Sequence, residues 1–532
     1  MWRHMVVYGC DRTVHTSGYP NEEGGTVMGR SFRAWILGAL ALSLALSACG
    51  TQRMGHNAGA QTDGSSQATQ ETQGTGADLA ATPTGSETPG PASASGGRTT
   101  AKGSLTPSAN ATGSQAARTA SDRGVTKGEI VLAILASNES SFESVGIKYE
   151  GRRHEEVMKP FVDDINSHGG INGRKLVVKL HRYNPLSQDE RSAACVKAAE
   201  DFKAFAVLAP IGFWGDPEVC LATKETPLIT GNNSSADTNV RREKGWVHQT
   251  MMNKDRLLKN WVDWAISSGL ATSKTRNGIV YTEVPEDRQV VNDVLIPYMK
   301  QRKLQVTEVA ALSYSGSPNP DAAQVEGQAS TLKFKASGVD LVWPVTNFLQ
   351  MLIWAQQADA AAYKPRYTVS DFGLMATSES TASFPASQWE GTRGITSAWS
   401  TEVTPGQLPK NQAFRDCEAV YKAHGLSIGP DPNDASRRDS IEIANMTYYC
   451  EHLALFAEVA RRAGVNPTRR SLLAAFDGLG TWSHRVAVTE RLSYARGKLD
   501  GADYFAVVKW KSGCTSSGGC YLHTEGFRKG TW

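Results

Sequence analysis

The residues that could do chemistry in this 532-residue chain sit at the ends of apolar runs. A hydrolase built on a sheet needs a Gly-x-Ser-x-Gly elbow to expose its nucleophile, and none is present. His154-Glu155-Glu156 lacks the second His that would complete a helical zinc site, and no Gly-rich phosphate loop ending in Lys-Ser or Lys-Thr occurs. His424, His452 and His484 are scattered, and a lone His is usually structural. What remains is binding chemistry. Gly212-Phe-Trp-Gly215 presents two aromatics of the kind that line apolar ligand sites. Asn232, Asn233 and Ser234 offer amide and hydroxyl donors to an anion, or form an Asx-rich turn. Tyr149, Glu286, Trp343, Asn347 and Asp371 complete a candidate set of ligand contacts.

The chain contains eight cysteines, six once Cys10 and Cys49 are set aside as belonging to the leader. Six allow fifteen pairings. Sequence order suggests Cys195–Cys220, Cys417–Cys450 and Cys514–Cys520, and an exported domain meets oxidising conditions. Metal binding is the rival use, but no Cys-x-x-Cys is present and no His lies at ligand spacing from a Cys pair, so no metal and no cofactor are expected.

Export is read from the first 50 residues. Arg30 and Arg33 precede the uncharged run Ala34 to Ala48, 15 residues long. That is an export signal rather than a membrane span, which needs about 20. Leu46-Ser47-Ala48-Cys49 resembles a bacterial lipoprotein box, which implies lipidation at Cys49 and a mature start there. Asp11, Glu22 and Glu23 do not suit a basic leader, so Met28 is the expected start. Residues 50–125 are rich in Ser, Thr, Gly, Ala, Gln and Pro, with Met54, Leu79 and Leu105 as the only large apolar residues before Val125. Such a stretch cannot bury a core and reads as a disordered tether. The folded part is expected over 126–532, on the extracytoplasmic face of a cell membrane. The 56 basic and 53 acidic residues nearly balance, at net +3, which argues against nucleic acid as a partner.

The elements that must position the candidate residues alternate between strands and helices. Glu129 to Leu135 is a buried-strand run. Val157, Phe161 and Ile165 recur at helical spacing on one face, with Glu155, Glu156, Lys159 and Asp163 on the other. Gly169-Gly170 ends that helix, Asn172-Gly173 turns the chain, and Lys175 to Tyr183 suits a strand. This β–α–β unit favours a parallel sheet. Further strands are expected at 205–210, 227–230, 278–282, 304–312, 339–344, 366–369 and 393–399. Long helices are expected at 257–267, 287–301, 321–337, 347–360, 409–424 and 434–463, and a β-rich tail from Trp482. Two βα blocks joined by a crossing at 246–254 suggest two lobes. Open parallel sheets take ligands at the carboxyl ends of their strands, where the candidate residues fall.

Asp164-Ile-Asn166 with Gly169-Gly-Ile-Asn-Gly-Arg-Lys-Leu176 resembles the type I periplasmic binding proteins, in particular the branched-chain amino acid (Leu/Ile/Val)-binding branch of ABC transporter substrate-binding lipoproteins. Cys195 and Cys220 fit the disulfide that members often carry. The resemblance covers about 126–400. It implies an α/β fold of two lobes, each a mostly parallel sheet flanked by helices, closing on a small-molecule ligand. It implies lobe one at 126–246 with 374–478, and lobe two at 247–373 with 479–532. It places the Gly-Gly and Asn-Gly turns in a connector, away from the ligand. It gives Asp371 the role of pairing with a ligand ammonium, while Gly-Phe-Trp-Gly stands where members carry small hydroxyl residues. It implies a solute-binding lipoprotein of an ABC importer, with permease subunits as partners. A ligand-sensing receptor of the same fold and a secreted hydrolase are the alternatives.

Overall fold

Ile130, Leu132, Ala133, Ile134 and Leu135 are fully buried, because the strand they form is covered on both faces. The computed structural model describes residues 117–531 except 139, 144–151, 186, 211–216, 314–319, 399–410, 429–439 and 516–517. Within them β1 (Glu129–Ser137), β2 (Lys175–Tyr183), β3 (Ala206–Ala209), β4 (Leu228–Thr230) and β5 (Val247–Gln249) form one sheet. Its order is β2-β1-β3-β4-β5 and every pair is parallel.

The turn between the helix His154–Ser167 and β2 has left-handed backbone at Gly169, Gly170, Asn172 and Gly173. A Cβ at Gly170 would lie 2.0 Å from the Arg174 carbonyl oxygen, so no larger residue fits there. Asn172 donates its side-chain amide to the carbonyls of Arg461 (3.0 Å) and Gly464 (2.9 Å), closing the end of the helix Ser440–Arg462. Asn166 exchanges two hydrogen bonds with the backbone of Leu176, at 3.0 and 2.7 Å, and Asp164 accepts from Arg485 at 2.6 Å. These residues tie elements together at the amino end of β2.

A second sheet holds β6 (Arg276–Glu283), β7 (Gln305–Ser313), β8 (Leu341–Val345), β9 (Arg366–Val369) and β10 (Arg393–Thr396). After a small pair, β11 (Gly480–Trp482) and β12 (Leu492–Tyr494), the long strands β13 (Tyr504–Thr515) and β14 (Gly518–Lys529) join it. The order is β14-β13-β10-β9-β8-β6-β7. The strands β6 to β10 pair in parallel, and β13 pairs antiparallel with both β10 and β14.

The strands and helices fall where the sequence predicts them, but the exchange points between lobes differ. Residues 374–398 were expected in lobe one. Instead β10 pairs with β9 and β13, and Met375, Phe384 and Trp389 pack with Trp354 in the second lobe's core. The segment 479–494 was expected in lobe two, yet Leu479, Trp482, Val486, Leu492 and Tyr494 pack with Ile130 and Phe161 in the first. Residues 117–125 were expected in the tether, yet they dock on the first lobe. Asp122 pairs with Arg469 at 2.9 Å, and Arg118 donates to the Gly173 carbonyl at 2.7 Å.

The chain therefore passes between the sheets after β5, after β10 and before β13. Met251 and Ala398, beside the first two passages, pack with Val488 and Tyr448 in a small apolar cluster. The three disulfides pair as sequence order suggests: Cys195–Cys220, Cys417–Cys450 and Cys514–Cys520. Among the described residues no helix is long and apolar enough to cross a membrane.

Candidate functional site

Carboxyl ends of parallel strands gather loops and helix starts, and here two such edges share one cavity of about 380 Å³. The first sheet contributes Glu218, Gly231, Asn232, Asn233 and Glu243 to its walls. The second contributes Thr282, Glu286, Asp287, Asn347 and Asp371. Met251, Ala398 and Tyr448 of the apolar cluster close one side. Gly231 is required by close approach, since a Cβ there would meet the Pro210 carbonyl oxygen at 2.2 Å.

The wall is dominated by carboxylates held in different ways. Lys254 begins the helix after the first passage and reaches Asp287 at 2.9 Å and Glu286 at 3.4 Å; its ammonium also lies 4.9 Å from the centre of the Phe372 ring. Glu286 accepts from the Ser235 backbone N–H at 2.5 Å, a bond from the second lobe to a loop of the first. Glu243 is fully buried and accepts from Ser234 Oγ (2.9 Å) and Asn239 Nδ2 (2.6 Å). Asn239 in turn accepts from Gln249 at 2.9 Å. Glu218 is 8 % exposed and accepts one bond among the described residues, from Asn232 Nδ2 at 3.3 Å.

Burial raises the pKa values of Glu243, Asp287 and Glu218. Desolvation lifts Glu243 to about 7 against the pull of its Asn239 and Ser234 bonds. It lifts Asp287 to about 6 against the attraction of Lys254. Glu218 is pushed well above the carboxylate range, first by burial and then by the charges of Glu243 and Glu286.

Of the residues expected from sequence, Asn232, Asn233, Glu286, Asn347 and Asp371 line the cavity together. Asn347 also caps the helix Phe348–Ala360, accepting from the Gln350 N–H at 3.0 Å. Two expectations are corrected. Trp343 is fully buried in the second lobe's core, 4.7 Å from Trp261 between ring centres, with its Nε1–H on Asn277 at 2.9 Å. It lies inside β8, opposite Ile279, before the strand reaches the cleft. Ser234 is not free to meet an anion: its hydroxyl serves Glu243 and its N–H donates to Gln249 Oε1 at 2.5 Å. Tyr149, Phe213, Trp214 and Cys49 lie outside the described residues. Sequence reasoning passed over Glu218, Glu243, Lys254 and Asp287. Glu218, Lys254 and Asp287 stand in the first turns of helices, where charged residues are ordinary, so only their shared position at a strand-end edge marks them.

Comparison with known proteins places the architecture. No protein-family model matches the sequence, and no curated protein is similar to it by sequence. By structure, the chain is similar to a fatty acid ABC transporter substrate-binding protein from Thermomonospora curvata, at 12% identity and TM-score 0.55, over 76% of this chain and 94% of that one. It is similar to a branched chain amino acid ABC transporter protein from Thermus thermophilus with bound valine, at 13% identity and TM-score 0.52, over 76% and 98%. A solute binding protein from Rhodopseudomonas palustris BisB5 in complex with 3,4-dihydroxy benzoic acid matches at 12% identity and TM-score 0.52, over 75% and 97%. The fold is the two-lobed type I periplasmic-binding-protein fold of ABC transporter substrate-binding proteins.

Proposed function

We propose that the protein is the extracytoplasmic solute-binding lipoprotein of an ABC importer, which takes a small polar or amino-acid-like molecule between its lobes and presents it to permease subunits. The observation that carries this reading is the cavity walled by the carboxyl ends of both sheets. Two of the three passages between the lobes run beside one small apolar cluster, an arrangement that suits hinge closure. Asn232, Asn233, Glu286, Asn347 and Asp371 are the contacts we assign from the cavity wall. Tyr149, Phe213 and Trp214 are added from their positions in the sequence. Lipidation of Cys49 supplies the membrane attachment in this reading.

Mass spectrometry of small molecules released from the purified protein, with a thermal-shift screen, identifies a ligand. Small-angle scattering then tests closure. Saturating ligand reduces the radius of gyration if the lobes close on it; an unchanged radius rejects closure on the ligand.

A further inference from the structure

We propose that the solute taken into this cleft carries a positive charge on nitrogen, and that Glu218 is the residue that receives it. The inference rests on the solute-binding reading above.

The argument is one of charge pairing around a single cavity. Five carboxylates line it, those of Glu218, Glu243, Glu286, Asp287 and Asp371, against the cations Lys254, Arg191 and Arg242. Lys254 is shared by Asp287 and Glu286. Asp371 is held by Ser397, and Glu243 by Ser234 and Asn239. Arg191 is buried and donates to the Pro185 carbonyl at 2.6 Å. Glu218 has no such arrangement. Its Oε1 takes the 3.3 Å bond from Asn232, and its Oε2 has no partner among the described residues. A carboxylate this deep, with no ion pair among the described residues, either takes a proton or faces a cation.

A metal is the poorer occupant, because among the described residues no three His, Cys, Asp or Glu side chains stand close enough to hold one. An organic ammonium or amidinium fits better. Met251, Phe372, Leu374 and Tyr448 give the same cavity apolar and aromatic wall for a short carbon chain. A volume of about 380 Å³ suits a molecule of that size.

The pairing has a consequence in protons. Without solute, burial and the charges of Glu243 and Glu286 favour the protonated form of Glu218, while Lys254 and the Asn232 bond oppose it. Tyr183 and Arg191 are the other ionisable groups nearby. An arriving cation reverses the preference. The carboxyl O–H bond breaks, its electrons stay on Glu218, and the proton leaves to solvent. Binding therefore favours loss of the Glu218 proton, and affinity rises with pH until the free carboxyl is itself ionised.

Calorimetry of the full chain tests this with n-butylamine, 1,4-diaminobutane and tetramethylammonium as cations, butyramide as neutral control, leucine as zwitterion and 3,4-dihydroxybenzoate as anion. Titrations at pH 7 in two buffers of different protonation enthalpy count the protons exchanged. At least one cation binds, any protons exchanged are lost rather than taken up, and Glu218→Gln weakens it by at least about 30-fold. The inference is overturned if no cation binds, if a cation binds with proton uptake, or if a folded Glu218→Gln binds the cation as tightly as the parent; the first two results do not depend on how well the variant folds. Binding of butyramide, leucine or 3,4-dihydroxybenzoate with lobe closure, and of no cation, removes the charge assignment and leaves the solute-binding reading standing. If nothing binds and no molecule is released from the purified protein, both fall.

Discussion

Asp371 holds Ser397 twice: its Oδ2 accepts the backbone N–H and the hydroxyl of Ser397, each at 2.6 Å. Asp371 follows β9, and Ser397 is the first residue after β10, where the chain leaves the second lobe. The carboxylate makes no capping bond to the turn that follows it. It is thus a strut at an interlobe passage, and one wall of the cavity as well.

Removing the strut leaves a buried N–H without its acceptor, which typically costs about 1–3 kcal/mol. Asp371→Ala therefore lowers the unfolding free energy measured in urea by that amount, and the midpoint with it, whereas Asp371→Asn keeps an oxygen in place and loses less. Equal midpoints for the alanine variant and the parent would show that Ser397 finds another partner.

Glu451 gives a second, pH-dependent expectation. It is fully buried on the helix Ser440–Arg462 and accepts from the Val488 N–H at 2.8 Å, behind the apolar cluster of Met251, Ala398 and Val488. Burial pushes its pKa up to about 8, against the pull of backbone N–H groups at 487–489. The folded state therefore binds a proton that the unfolded state has lost once pH exceeds the ordinary Glu value. Stability falls as pH rises from there and levels off above about 8. Glu243, at about 7, and Asp287, at about 6, act in the same direction. Glu451→Gln flattens the decline in melting temperature between pH 5 and 8.5 without abolishing it. A variant as pH-sensitive as the parent would remove Glu451 from the account.

Much of the fold was legible because its signals are local. The Gly-Gly and Asn-Gly turns announce themselves by residue type, and the buried run at β1 by its apolar density. Lobe membership was not legible beyond 373, because β10 is recruited by β9 and β13, and β13 lies more than a hundred residues later. Docking of residues 117–125 was invisible because it rests mainly on Arg118, Asp122 and backbone carbonyls, with Val125 the one apolar residue of the stretch buried in the core. At the site, the strand-end rule pointed to Asn232, Asn233 and Asp371, which line the cavity because it lies where parallel strands end. The same rule misplaced Trp343 by two residues, a distance that separates a core side chain from the edge of β8. Lys254 and Glu218 carried no signal of their own, because their meaning comes from charges brought together from both lobes.

Membrane attachment is a prediction from Leu46-Ser47-Ala48-Cys49. Parent protein expressed in bacteria fractionates with membranes, and Cys49→Ser shifts it to the soluble extracytoplasmic fraction. If the variant remains membrane-bound, attachment does not depend on a lipid at this residue.

The last prediction concerns Lys254, whose ammonium lies between Asp287 and Glu286 at 2.9 and 3.4 Å. Burial alone would lower its pKa, but the charges of Asp287 and Glu286 outweigh that and raise it, so it stays charged in the cleft. Replacing it by Met preserves the length of the apolar stem and removes the charge. The buried Asp287 carboxylate and the half-buried Glu286 carboxylate are then left without their cation, and breaking a buried pair typically costs about 3–5 kcal/mol, the partial exposure of Glu286 placing this case at the low end. The cost depends on pH with a definite sign. Asp287 has its pKa raised to about 6 even with Lys254 beside it, so its protonation on acidification removes one of the two charges. Lys254→Met is therefore far less stable than the parent at pH 8 and close to it at pH 5, measured by urea unfolding at each pH. Adding Asp287→Asn to Lys254→Met recovers part of the loss at pH 8 and little at pH 5. A Lys254→Met protein as stable as the parent at pH 8 would mean that water reaches these carboxylates freely, and that the cleft is far more open than its walls indicate.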